Sequence, residues 1–154
     1  MPTIIIKMGE ESPAEYISEL RKLDPDLEIR EWPDVGDPKD VDIAMVWKMP
    51  HGELAKFPNL KLIMSMAAGV DHVLGDPDMP REVPLVRVTD PHMARSMGHW
   101  AAMNILRLHR ETAHYDDLRS RREWPPERAF DTDTVQVGIL GLGYLGTHVA
   151  KMLH

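Results

Sequence analysis

The stretch VGILGLGYLGTHVAKMLH, residues 137–154, joins two periodicities at one turn. Before the turn, Val135, Val137, Ile139 and Leu140 read as a buried strand; after it, Leu145, Val149 and Met152 share one helical face. Between them Gly141, Gly143 and Gly146 have the spacing G-x-G-x-x-G. With a strand before it and a helix after it, that spacing is the signature of a dinucleotide-binding turn. The glycines have separate tasks. Gly141 permits the tight turn, Gly143 lets the backbone approach a pyrophosphate, and Gly146 lets the helix pack on the strand. The helix-start N–H groups near Tyr144 and Leu145 would hold phosphate oxygens, aided by the helix dipole. The competing reading is a tight strand-to-helix turn that binds nothing. A residue that reads the adenosine ribose is expected about 20 residues further on, past His154, so NAD and NADP are not distinguished.

Upstream, short apolar runs alternate with helical patterns. Strands are expected at Thr3 to Met8 and at residues 27–32, 41–47, 60–66 and 84–88. A helix is expected to begin at Ser12, Pro13 and Glu15, with Ser12 as cap and Glu15 closing a capping box, and to end at Asp24-Pro25. A short helix is expected around Gly52 to Phe57, and a tight turn into another over residues 67–75. Strands alternating with helices across short loops imply a parallel sheet with helices on both faces, placed at residues 1–92. The longest helix follows, capped by Asp90 and started by Pro91. Met93, Met97, Trp100, Ala101, Ile105 and Leu108 recur at helical spacing, which predicts a core-facing stripe continuing through Tyr115 and Leu118 until residues 123–127 break it.

Composition narrows the classes of partner. The chain has 154 residues, a formal charge of −7 and no cysteine. Acidity argues against nucleic acid and anionic membrane as partners. It is concentrated in residues 1–40, which hold eleven Asp or Glu against five Lys or Arg, a solvated acidic surface. Without cysteine there is neither a disulfide framework nor thiolate chemistry. No apolar run approaches the roughly 20 residues that span a bilayer, and the N-terminus does not read as a signal peptide. A cytoplasmic location is the expectation.

A second loop is informative. SMAAGVDHV, residues 65–73, ends a strand in the small residues Ala67, Ala68 and Gly69 before a helix starting near Val70 and Asp71. Exposed N–H groups at such a strand end can bind a carboxylate, though the same sequence also suits a generic turn. Taken in order, the α/β unit, AAGVD, the long helix and VGILGLGYLG resemble the D-isomer-specific 2-hydroxyacid dehydrogenases. VWKMP (46–50), SMAAGVDHV and WAAMNILRLHR (100–110) look most like their glyoxylate/hydroxypyruvate reductase A branch. The resemblance covers the whole chain but only about half of the family's length.

The resemblance implies a flavodoxin-like substrate domain at residues 1–92, followed over 93–154 by a linking helix and the first βα unit of a Rossmann-like NAD(P)-binding domain. It implies reduction of glyoxylate, hydroxypyruvate or a similar 2-keto acid by NAD(P)H, and a homodimer. Ala68, Gly69 and Val70 match the loop that holds the substrate carboxylate, and Trp47 the aromatic that borders the substrate. Gly141, Gly143, Tyr144, Leu145 and Gly146 match the pyrophosphate loop. The family's catalytic arginine, acid and histidine lie downstream of that loop, so no catalytic residue is assigned and the chain alone is expected to be inactive. His51 and His92 each follow a proline, as the family's catalytic histidine does, but both precede the glycine turn. His92, His99, His109 and His114 lack the i, i+4 pairing of a helical zinc site, and no metal is expected. A single βα unit cannot cover both faces of its own strand. The chain is therefore expected to be a piece of a longer enzyme, a shortened product, or part of an assembly. The alternative is a non-catalytic α/β module that dimerises or binds nucleotide.

Overall fold

The computed structural model describes residues 2–10, 12–126 and 131–154. The chain forms two compact units, Met1–Thr89 and Asp90–His154. The first is built on strands β1 (Thr3–Lys7), β2 (Glu28–Glu31), β3 (Val41–Val46), β4 (Leu62–Ser65) and β5 (Leu85–Arg87). They form one sheet in the order β2-β1-β3-β4-β5, with every pairing parallel. This is the flavodoxin-like order, which reverses direction between β1 and β3.

Period-2 alternation explains both faces of this sheet. Ile4, Ile6 and Ile29 point to one side, where Ile17 and Leu20 of helix α1 (Ala14–Leu23) pack on them. Ile5, Ala44, Val46 and Ile63 point to the other. There they meet Leu54 and Phe57, from a 3₁₀ turn at Leu54–Lys56 and its end, and Val73 of α2 (Asp71–Leu74). Ile5, Ile6 and Ile63 are fully buried, each a gain of about 1.5–3 kcal/mol relative to exposure. The register slips between Thr3 and Ile4 opposite β3. At that irregularity the Asp42 carboxylate accepts the Thr3 N–H at 3.0 Å and pairs with Lys61 Nζ at 2.7 Å.

Two local expectations are corrected. Helix α1 is capped by Pro13, with no side-chain cap, so no capping box forms. Ser12 Oγ stands one residue earlier and accepts the Ala14 N–H at 3.3 Å. The helix expected near residues 52–57 is the single 3₁₀ turn, whose Leu54 joins the same buried cluster as Ile63.

The second unit comprises α3 (Pro91–His109), α4 (Thr112–Arg121) and α5 (Tyr144–Leu153). Asp90 caps α3 as the sequence predicts, accepting the N–H groups of His92 at 2.8 Å and Met93 at 3.1 Å. The face that α3 buries is not the Met/Trp stripe. Ala94 and Gly98 are its buried residues, and Gly98 lies against Met152 and the His148 carbonyl of α5. Small side chains let two helices approach closely, whereas Met97, Trp100 and Leu108 remain exposed. The helix also does not run on through Tyr115. Glu111 takes a left-handed conformation at φ 47°, and α4 starts afresh after it. Residues 123–126 carry no helix, and Glu127 of the expected break lies outside the described residues.

The strand expected at Val135 to Leu140 is not formed. Thr132–Thr134 make a 3₁₀ turn and 135–140 pair with no strand among the described residues. A strand is held by its neighbours' N–H and C=O groups, and apolar residues without a neighbour stay exposed, as Val135, Val137 and Leu140 do.

Candidate functional site

In a doubly wound sheet the ligand crevice lies outside the carboxyl ends of the strands, where strand order reverses. In the first unit that places Trp47, just past β3, beside Gly9, just past β1. The Trp47 N–H donates to the Lys7 carbonyl at 2.7 Å, continuing the ladder. A Cβ on Gly9 would come within 3.3 Å of the Trp47 ring. Lys48 Nζ sits 5.2 Å from the same ring's centroid, in cation–π range. Lys7, Gly9, Glu10, Trp47 and Lys48 line a cleft here.

The loop after β4 is the neighbouring element in the sheet order. Its carbonyls are tied back into the protein. Ser65 Oγ lies 2.8 Å from the Gly69 carbonyl and 3.2 Å from that of Ala67, and Arg87 at the end of β5 donates to the Ala68 carbonyl at 2.7 Å. The N–H groups of Ala68, Gly69 and Val70 donate to no acceptor among the described residues. Carbonyls turned inward and consecutive N–H groups left over are the arrangement that a backbone anion site requires. The Asp71 carboxylate lies against Gly69, where a Cβ would approach it to 2.7 Å, so a larger residue here would require the Asp71 side chain to move.

His72 connects the two loops. Its Nδ1 accepts the Lys48 N–H at 3.2 Å, and its Nε2 lies 2.9 Å from Ser65 Oγ. Burial, and the nearby Lys48 charge, push the His72 pKa below its ordinary value, although Asp71 pulls the other way. Ser65, His72 and Arg87 escape a reading of motifs alone. The signal in the sequence is a serine closing an otherwise apolar strand; the structure buries it fully, and a buried hydroxyl demands a hydrogen-bond partner.

The glycine turn of the second unit stands as follows. Gly141 has φ 91°, the left-handed region that favours glycine. Gly143 is the N-cap of α5, with no side-chain cap bond. Open space surrounds the Cβ positions of Gly141 and Gly143, whereas a Cβ on Gly146 would collide with the Gly141 carbonyl. The N–H groups of Tyr144 and Leu145 thus head a ten-residue helix without a capping side chain. A turn open at Gly141 and Gly143, closed at Gly146 and leading into an uncapped helix start has the features that a pyrophosphate-binding turn requires. Tyr144 and His148 stack edge-to-face at 4.9 Å between ring centroids on the first turn.

Among the described residues, no group of three or more His, Cys, Asp or Glu is placed to hold a metal ion. No described helix is long and apolar enough to cross a membrane.

No family model matches the chain. Individual proteins do. The chain is 35% identical over 144 residues to the glyoxylate/hydroxypyruvate reductase A of Serratia proteamaculans, covering 90% of this chain and 46% of that protein. Its fold matches a D-isomer specific 2-hydroxyacid dehydrogenase from Xanthobacter autotrophicus Py2, solved with NADPH and MES, at a TM-score of 0.87 and 32% identity. That match covers 99% of this chain and 50% of the other. The NADPH-dependent glyoxylate/hydroxypyruvate reductase of Sinorhizobium meliloti, solved with NADP and sulfate, gives a TM-score of 0.82 at 33% identity, over 98% of this chain and 49% of that one. The chain therefore spans about half the length of the curated relatives it matches. In sequence and in fold alike, the chain resembles the N-terminal half of a D-isomer-specific 2-hydroxyacid dehydrogenase of the glyoxylate/hydroxypyruvate reductase A branch.

Proposed function

We propose that this chain carries the substrate-carboxylate loop and the pyrophosphate loop of an NAD(P)H-dependent reductase acting on glyoxylate, hydroxypyruvate or a similar small 2-keto acid. One observation carries the reading: the Ala68–Val70 loop turns its carbonyls inward and leaves its N–H groups as donors at the carboxyl end of the sheet. Ala68, Gly69 and Val70 bind the substrate carboxylate. Trp47 borders the substrate from the neighbouring strand end. Gly141, Gly143, Tyr144, Leu145 and Gly146 bind the cofactor pyrophosphate, and the cofactor supplies the hydride. The solved relatives with NADPH and NADP support the cofactor class. Residues 1–92 act as the substrate domain, and 93–154 as a linking helix with the opening of a nucleotide domain.

The proton donor is not assigned to any residue here. His51 and His92 have the flanking proline but no link to the His72–Ser65 network among the described bonds. The expected outcome is that the purified chain binds glyoxylate in a calorimetric titration without consuming NADPH. NADPH consumption by the chain would overturn the assignment of acid–base chemistry elsewhere. Heat no different from buffer dilution on adding glyoxylate would overturn the carboxylate loop.

A second reading, an interaction role, draws on a separate observation. Met97, Trp100, Met103 and Leu106 are exposed along α3, Trp100 at 61%. Large exposed apolar faces mark association sites, and homodimerisation through this helix is the proposed use. Light scattering on the chain should give twice 17.6 kDa; a monomer at all concentrations would contradict it. A cytoplasmic location is proposed with it.

A further inference from the structure

The hydrogen bonds around His72 have directions that follow from chemistry alone. A backbone N–H can only donate, so the Lys48 N–H requires a lone pair on His72 Nδ1. A neutral ring then carries its proton on Nε2 and donates it to Ser65 Oγ, 2.9 Å away. The hydroxyl keeps its own proton for the Gly69 carbonyl at 2.8 Å and accepts the Ala67 N–H at 3.2 Å. The relay runs from Lys48 N–H through His72 and Ser65 to the Gly69 carbonyl. It joins the loop after β3, which carries Trp47, to the loop after β4. Lys48 needs such a tie: its φ of 54° lies in the left-handed region, disfavoured for a residue with a Cβ.

Resting on the reading of Ala68–Val70 as the carboxylate loop, we propose that His72 is a positioning residue. Its neutral Nε2–H tautomer holds the Gly69 carbonyl inward, so that the loop's N–H groups face the substrate, and fixes the Trp47 loop beside them. Protonation would make Nδ1 a donor facing the Lys48 N–H, and the relay would lose its first link. The groups that face the ring come from each neighbouring element. Asp71 in α2 favours protonation, while Lys48 after β3 and the burial of the ring oppose it. Arg87 of β5 ends on the Ala68 carbonyl, in the same loop. The neutral form is therefore held to below the ordinary value of 6.5.

The test is a pH titration of the ¹⁵N-labelled chain, recording the His72 ring nitrogens with the amides of Lys48, Ala67 and Gly69. The expected result is an Nε2–H ring whose titration midpoint lies below 6.5. The Lys48, Ala67 and Gly69 amides should move with that same midpoint, and glyoxylate affinity should fall with them. In His72→Asn the side-chain oxygen stands near the position of Nδ1. The Lys48 amide should then keep its shift and lose its titration. An Nδ1–H ring, or a Lys48 amide that titrates unchanged in His72→Asn, would overturn the proposal. If the amides track the ring but glyoxylate moves no loop amide at any pH, the relay stands and the carboxylate reading fails. If glyoxylate binds with an affinity indifferent to the ring's protonation, the carboxylate reading stands and the positioning role fails.

Discussion

The two units treat their apolar residues in opposite ways. In Met1–Thr89 every strand has a hydrogen-bonded neighbour, and Ile5, Ile6, Ala44, Val46 and Ile63 are buried between layers. In Asp90–His154 the residues that read most like a strand, Val135 to Leu140, find no strand partner among the described residues, and Leu140 is fully exposed. The local patterns are equally apolar. The difference is partnership: a strand is a property of a pair, whereas a helix satisfies its own backbone. Accordingly α5 forms after the glycine turn although the strand before it does not.

The sharpest way to break this contrast is to cut into each unit's apolar residues. Ile63→Ala should destabilise the first unit by about 2–5 kcal/mol through the cavity it leaves, because Ile63 is 0% exposed. Leu108→Ala should change stability by less than about 0.5 kcal/mol, since Leu108 is 80% exposed. Urea unfolding of both variants checks the pair, and equal losses would contradict the contrast.

A smaller effect is expected where a buried polar group does the holding. Asp76 is buried and accepts the N–H groups of Gly52 and Asp78, each at 2.9 Å. Asp76→Ala should cost about 1–3 kcal/mol by leaving these donors unpaired. Asp76→Asn should recover only part, since its amide can accept one of the two bonds. Full recovery in urea unfolding would show that one bond suffices.

Hydrogen exchange should separate the two units residue by residue. Amides of β1, β3 and β4 should be the slowest, and those of 135–140 should exchange nearly as fast as an unstructured peptide. Protection at 135–140 would mean a strand partner in solution.

The smallest expected effect is the dependence of stability on pH. His72 titrates below 6.5 in the folded chain, so above that value both folded and unfolded forms are neutral and its full contribution is present. As pH falls from 6.5 toward the lower folded value, the unfolded chain takes up the proton first, and stability declines. Glu28, beside Arg30, and Asp42, beside Lys61, are held below their ordinary 4.5 and 3.8 by those hydrogen bonds. Their contributions are lost only at still lower pH, as it falls through their depressed values. Thermal unfolding at stepped pH should show the histidine phase first; a flat profile down to the carboxylate range would contradict it.

The sheet was legible because its strands are short, β-branched and separated by turn residues. Its order was legible only through the resemblance. The long helix was legible at its start, where Asp90 and Pro91 have fixed roles, but its packing face was not. Large apolar residues dominate a periodicity reading, yet the close approach to α5 is made by Gly98, which adds nothing to such a count. The site divides the same way. Ala68, Gly69 and the three turn glycines are visible as motifs. His72 and Ser65 are joined by hydrogen bonds that no spacing rule encodes, and Arg87 reaches the loop from nineteen residues away.

Titrating the ¹⁵N-labelled chain with glyoxylate shows whether a 2-keto acid carboxylate sits on the N–H groups of the loop after β4. Saturable movement of the Ala68, Gly69 and Val70 amides is expected, with a smaller shift at the Trp47 indole. Glyoxylate that leaves these amides in place, or that moves amides elsewhere in the chain instead, would contradict it.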